Sequence, residues 1–129
     1  MLENLFGTVI TTQIVADEFA LPLPKWVIIK NPKDRNNQMI LEATLDKGEA
    51  SAIALAMEHA NCLLVIDELK GRKLAKHLGL SITGTLGLIV QAKISGHISS
   101  VRPVLKKVEK TNFRISEEIE RVILTLAGE

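Results

Sequence analysis

Acidic side chains stand at the junctions between the elements of this sequence. Glu49 opens a long apolar stretch, Asp67 follows directly on the run Leu63-Leu64-Val65-Ile66, and Glu18 ends a short helical segment after Thr8-Val9-Ile10-Thr11. Carboxylates brought together from separate elements are what a phosphodiesterase needs to hold a hard divalent cation, polarise a phosphate and activate water. In a parallel α/β sheet the natural meeting place is the crevice outside the carboxyl ends of the strands. Each residue also has an ordinary structural role: Glu49 as the reciprocal partner of Asp46 in a capping box, Asp67 as an N-cap, Glu18 as a solvated helix end. On spacing alone, both readings stand.

The other reactive residue types offer less. His59, His77 and His97 are scattered without metal-ligand spacing and are expected to be structural or solvated. Cys62 is the only cysteine, so no disulfide can form within the chain, and its apolar neighbours Leu63 and Leu64 suggest a buried thiol. A net charge of +1 gives no global reason to bind nucleic acid. The charge is nevertheless uneven. Acidic groups gather at Asp17-Glu18, residues 46–49 and Asp67-Glu68, and a basic stretch of Lys70, Arg72, Lys73 and Lys76 follows at once, as a solvated helix face would present it.

The elements that must position these residues alternate short β-rich runs with longer helical ones. Thr8-Val9-Ile10-Thr11, Trp26-Val27-Ile28-Ile29, Leu63-Leu64-Val65-Ile66 and Leu80-Ser81-Ile82-Thr83 are the strand candidates. The third is apolar throughout, which predicts a strand covered on both faces and favours a parallel sheet in an α/β layer structure. Asp46 predicts the cap of a buried helix through residues 50–60. Asp67 predicts the cap of a second over 69–78, stopping at Gly79. A helix is expected over 86–94. Apolar residues at 101, 104, 105 and 108, and again at 119, 122, 123 and 126 after Ser116, predict two amphipathic helices packed on the sheet. At 129 residues one domain with one core is expected. No apolar run approaches the roughly 18 residues of a membrane helix and no export signal opens the chain, so the expected protein is cytoplasmic and not membrane-bound.

The wording of three segments carries a resemblance. Gly48-Glu49-Ala50-Ser51-Ala52-Ile53-Ala54-Leu55-Ala56, then Leu64-Val65-Ile66-Asp67-Glu68-Leu69-Lys70-Gly71-Arg72, then Ile82-Thr83-Gly84-Thr85-Leu86-Gly87 resemble a prokaryotic branch of the PIN-domain superfamily similar to the VapC toxin nucleases. Phe113-Arg114-Ile115-Ser116 and residues 124–129 look like the end of the same branch. The resemblance implies a three-layer α/β/α sandwich with a short parallel sheet. It also implies hydrolysis of RNA phosphodiester bonds with Mg2+ or Mn2+. By position it assigns Glu18, Glu49 and Asp67 as catalytic metal ligands and Glu68 as an auxiliary ligand. Lys70 and Arg72 are then suited to phosphate oxygens, and Thr83 and Thr85 either hold water through their hydroxyls or cap the next helix. Related families work as toxin–antitoxin pairs, which suggests an antitoxin-like protein partner.

The family opens with a strand ending in an Asp and a small hydroxyl residue, followed by a leucine-rich helix. Here Leu2-Glu3-Asn4-Leu5-Phe6-Gly7 resembles the end of that helical region, so the opening strand and its Asp are expected to be missing. An incomplete carboxylate set implies weak or absent cleavage, and the alternative function is an inactive remnant or protein-interaction module. A sheet short of one strand leaves edge groups and apolar surface open, which predicts a homo-oligomer.

Overall fold

The computed structural model describes residues 6–20, 22–111, 113 and 115–129. Residues 2–5 and Arg114, which carry part of the expectations above, lie outside them. The described residues form two compact units, 6–84 and 85–129. The expected single core is thus two clusters of buried side chains, one in each unit.

Unit 6–84 runs β1 (Val9–Thr11), α1 (Gln13–Phe19), β2 (Val27–Ile29), α2 (Arg35–Leu41), α3 (Lys47–Met57), β3 (Leu63–Val65), α4 (Leu69–His77) and β4 (Ser81–Thr83). The four strands coincide with the four expected runs and pair in parallel, β1 with β2 and β3 with β4, as two two-stranded sheets. Their β-branched and apolar residues suit a pleated, half-buried surface. Thr12 follows β1 and caps α1, its side chain accepting from Val15 N.

Two expectations are corrected here. β3 is not covered on both faces: Leu64 is buried, but Leu63 and Val65 are 39% and 45% exposed. The period of a strand sends alternate side chains to opposite faces, and only one face meets the core. The cap of α4 is Glu68 and not Asp67; Glu68 accepts from Gly71 N at 3.0 Å. The turn after β3 runs one residue further than the spacing suggests. Helix α2 was not anticipated, because its first turn carries Asn36 and Asn37, which are polar and poor in helix propensity. It forms because Asp34 accepts from Asn36 N and Asn37 N.

Helix α3 is the centre of this unit. Asp46 caps it by accepting from Glu49 N at 2.9 Å, and Ala50, Ile53, Ala54 and Ala56 are buried along it with Leu64, Ile66 and Ala75. Both α1 and α2 pack against it. Truncating Ile53, which is 0% exposed, to alanine would cost about 3 kcal/mol. At the end of α4, Gly79 takes the left-handed conformation (φ 79°) that its sequence position suggested.

Unit 85–129 contains α5 (Thr85–Ile94), α6 (Arg102–Glu109) and α7 (Glu117–Leu126). Ser116 caps α7 as expected, accepting from Ile119 N. The amphipathic helices bury Val101, Leu105 and Ile123 against Ile89 and Val90 of α5, in a cluster built from helix and loop side chains. Helix α6 lacks a side-chain cap of its own. Glu129 supplies the acceptors: its carboxylate takes Ser100 Oγ at 2.5 Å and Val101 N at 2.8 Å.

Candidate functional site

The acidic residues singled out by type and spacing all belong to unit 6–84, with Lys70, Arg72 and Thr83. Thr85 opens α5 in the other unit. Glu49 lies in the first turn of α3 and Glu68 at the start of α4, and the fold brings them together with a third carboxyl that spacing had marked only as a cap, Asp46. These three line a shallow depression with Thr44, Leu45 and Lys70. Asp46 and Glu49 share a helical face because residues three apart are neighbours on a helix, and this was the available signal for Asp46.

The electrostatics of this trio are uneven. Burial first, then the neighbouring charges of Asp46 and Glu68, push the Glu49 carboxyl up from its ordinary 4.5 to about 7. Glu68 moves the other way, held down chiefly by the backbone N–H of Gly71. The carboxyls of Asp46 and Glu68 both stand close enough to Glu49 to disfavour its charged form. Of Glu49 and Glu68, the opposite shifts make Glu49 the carboxyl that keeps its proton longer as pH rises and Glu68 the one that ionises first.

Glu18 and Asp67 belong to the same unit. Glu18, near the end of α1, lays its carboxylate over Gly48, within 2.6 Å of where a Cβ would stand. A buried polar chain fixes α1 against α3 at this point. Ser51 donates to Gly48 O at 2.7 Å, so the Thr12 hydroxyl must be the donor in its 2.7 Å bond to Ser51. Asp67 Oδ1 and Arg72 Nη1 both lie within 3.0 Å of the position a Cβ would take on Gly84. Arg72 Nη1 also donates to Ile66 O at 2.8 Å, which commits one arm of its fork to the end of β3. Lys70 is exposed, Thr83 half-buried at the end of β4, and Thr85 half-buried. The glycines at 48, 71 and 84 are the residues that spacing missed; a glycine in the first turn of a helix, where alanine is the better former, was the visible clue at 48 and 71.

The full length of the chain, residues 1–129, matches the DUF3368 family model, a PIN domain. It belongs to the PIN-domain family. The mixed α/β architecture of this PIN domain, with its short parallel strand pairs, agrees with that assignment. No curated protein and no solved structure matches the chain. PIN domains are nuclease-like and nucleic-acid-related, and generally use divalent metals. The donor chemistry of this one suits such an ion, since Asp46, Glu49 and Glu68 offer only carboxyl oxygens. The spacing does not follow. Among the described residues no group of three or more His, Cys, Asp or Glu stands ready to hold a metal ion. Three of the acids have local partners: Glu68 accepts from Gly71 N, Glu18 lies over Gly48 and Asp67 beside Gly84. No helix among the described residues is long and apolar enough to cross a membrane.

Proposed function

We propose that this PIN domain is a ribonuclease that hydrolyses RNA phosphodiester bonds with Mg2+ or Mn2+ at the acidic face of residues 6–84. The observation that carries this reading is Glu49. Its carboxyl is pushed up to about 7 in an open depression where two further carboxyls crowd it, the condition of a group poised to take or release a proton near neutrality. A divalent ion held by these oxygens would supply neutralisation of the phosphodiester charge and an acidified water. The chain's own share is to hold oxygen donors at Asp46, Glu49 and Glu68, to flank them with Glu18 and Asp67, and to offer Lys70 at the rim to a phosphate oxygen. Arg72 retains donors beyond the one spent on Ile66 O. Thr83 and Thr85 keep only the role that family resemblance assigns them.

The test is incubation of the purified chain with mixed single-stranded RNA and MnCl2. The reading expects slow cleavage that stops on chelation and is lost in Glu49→Gln and in Asp67→Asn. Cleavage that persists in both variants, or none in the wild type, overturns it. A second reading draws support from the described residues' lack of a group of three or more His, Cys, Asp or Glu that could hold a metal ion. On it the chain is an inactive PIN-like remnant or interaction module, with an antitoxin-like partner or a second copy of itself as the bound protein. It expects no cleavage in the same assay, and light scattering after size-exclusion chromatography tests self-association.

A further inference from the structure

Three glycines carry the acidic residues of this unit, and each does so by lacking a side chain. A methyl group at position 48 would fall 2.6 Å from Glu18 Oε2 and 2.8 Å from its Oε1. One at position 71 would fall 2.8 Å from Glu49 Oε2 and 2.6 Å from Ile66 Cδ1, and one at position 84 would fall 2.8 Å from Asp67 Oδ1 and 3.0 Å from Arg72 Nη1. Non-bonded atoms settle at roughly 3.5–4 Å for carbon pairs, so each carboxylate occupies space that a Cβ would claim. Backbone conformation gives no other reason for these glycines. The described glycines with positive φ are Gly7, Gly79, Gly96 and Gly128, and none of those has an atom within 4 Å of its Cβ position. Gly48 and Gly71 lie inside helices, where alanine is the better former.

We propose that Gly48, Gly71 and Gly84 are positioning residues that seat the carboxylates of Glu18, Glu49 and Asp67. What the seated carboxylates then do rests on the nuclease reading above. The seats run in chain order: α1 places its acid on the first turn of α3, α3 places its own on the first turn of α4, and the residue before the α4 cap places its on the turn after β4. A single methyl at any seat displaces an oxygen donor by more than the tolerance of a metal-ligand or catalytic geometry.

Gly48→Ala is the sharpest test, because the group it meets is the tip of an exposed, flexible side chain and not packed core. Melting temperature, MnCl2 affinity by calorimetry, and the 13C resonance of the Glu18 side-chain carboxyl are measured together. The expected result is a melting temperature equal to or above wild type, about tenfold weaker Mn2+ binding, and a displaced Glu18 resonance. In a Glu18→Gln background the same glycine substitution should change Mn2+ affinity no further, since it acts only through Glu18. An unmoved Glu18 resonance, or effects of the two substitutions that simply add, overturns the proposal. If the wild type neither binds Mn2+ nor cleaves RNA, the nuclease reading falls, and the seat is then decided by the Glu18 resonance alone.

Discussion

Two glutamates, one in each compact unit, show opposite uses of the same side chain. Glu129 accepts from Ser100 Oγ and Val101 N, with Lys93 Nζ at 3.5 Å and Arg102 Nε at 3.7 Å. Its carboxyl is held below the ordinary range, first by the Ser100 hydroxyl and then by the Val101 amide. Glu49 faces acceptors instead of donors and is raised to about 7 by burial and by Asp46 and Glu68. A carboxylate met by donors serves the scaffold, because its charged state is already the satisfied one. One crowded by its own kind is held at a cost in stability, and such residues concentrate where chemistry is done.

The largest expected effect comes from removing the charge of Glu49 while keeping its shape. Glu49→Gln should lower RNA cleavage at least 100-fold and at the same time stabilise the fold at pH 8. The sign follows from the direction of the shift. The folded state binds the Glu49 proton more tightly than the unfolded chain does, so this residue favours folding fully below the ordinary 4.5 and loses that contribution as pH rises through about 7. Glutamine mimics the protonated form. In metal-free buffer the variant and the wild type should therefore melt together near pH 4.5 and separate progressively toward pH 8. With solvent screening of a half-exposed group, the difference there should reach about 1 kcal/mol, a few degrees in Tm. Melting curves at four or five pH values check this. A variant that is less stable at pH 8 would show that Glu49 is a scaffold residue like Glu129.

How far the sequence anticipates this contrast depends on the range of the interaction. The strands were legible because Val9-Ile10-Thr11, Val27-Ile28-Ile29, Leu63-Leu64-Val65 and Ser81-Ile82-Thr83 are short β-prone runs whose preference is local. The caps Asp46 and Ser116, and the turn at Gly79, act within three residues of themselves and were equally plain. The cap of α4 was misplaced by one because Asp67 and Glu68 are both acidic, and only the turn geometry selects the second. What remained hidden is long-range. Glu18 meets Gly48, Glu49 meets Gly71 and Asp67 meets Gly84 through tertiary packing, and no periodicity links such pairs. Glu129 capping α6 is of the same kind, joining residues 28 and 29 positions apart.

A smaller effect is expected at that second glutamate. Glu129→Ala leaves the Val101 amide without its acceptor, while Arg102 N keeps only its 3.3 Å bond to Ser100 Oγ. Tm should fall by roughly 5 °C, while Mn2+ affinity and cleavage stay at wild-type values. Calorimetric melting and the same MnCl2 titration separate the two readouts. If Mn2+ affinity fell along with Tm, the division of labour between the two glutamates would be wrong.

The smallest effect distinguishes what kind of interaction anchors Glu129. Lys93 approaches Glu129 Oε2 at 3.5 Å and Arg102 approaches Oε1 at 3.7 Å, both longer than the bonds from Ser100 and Val101 to the same carboxylate. Partly exposed ion pairs of this length contribute between nothing and about 1 kcal/mol and weaken with salt. The two shorter bonds are directional, and one of them satisfies a helix-terminal N–H that has no intrahelical partner. If hydrogen bonding carries the anchor, Lys93→Gln should move Tm by about 1 °C or less, and raising NaCl from 0.05 to 0.5 M should leave the wild type almost unchanged. A drop in Lys93→Gln comparable to that in Glu129→Ala, abolished at high salt, would make the anchor ionic. The low pKa of Glu129 would then stem from Lys93 rather than from Ser100 and Val101.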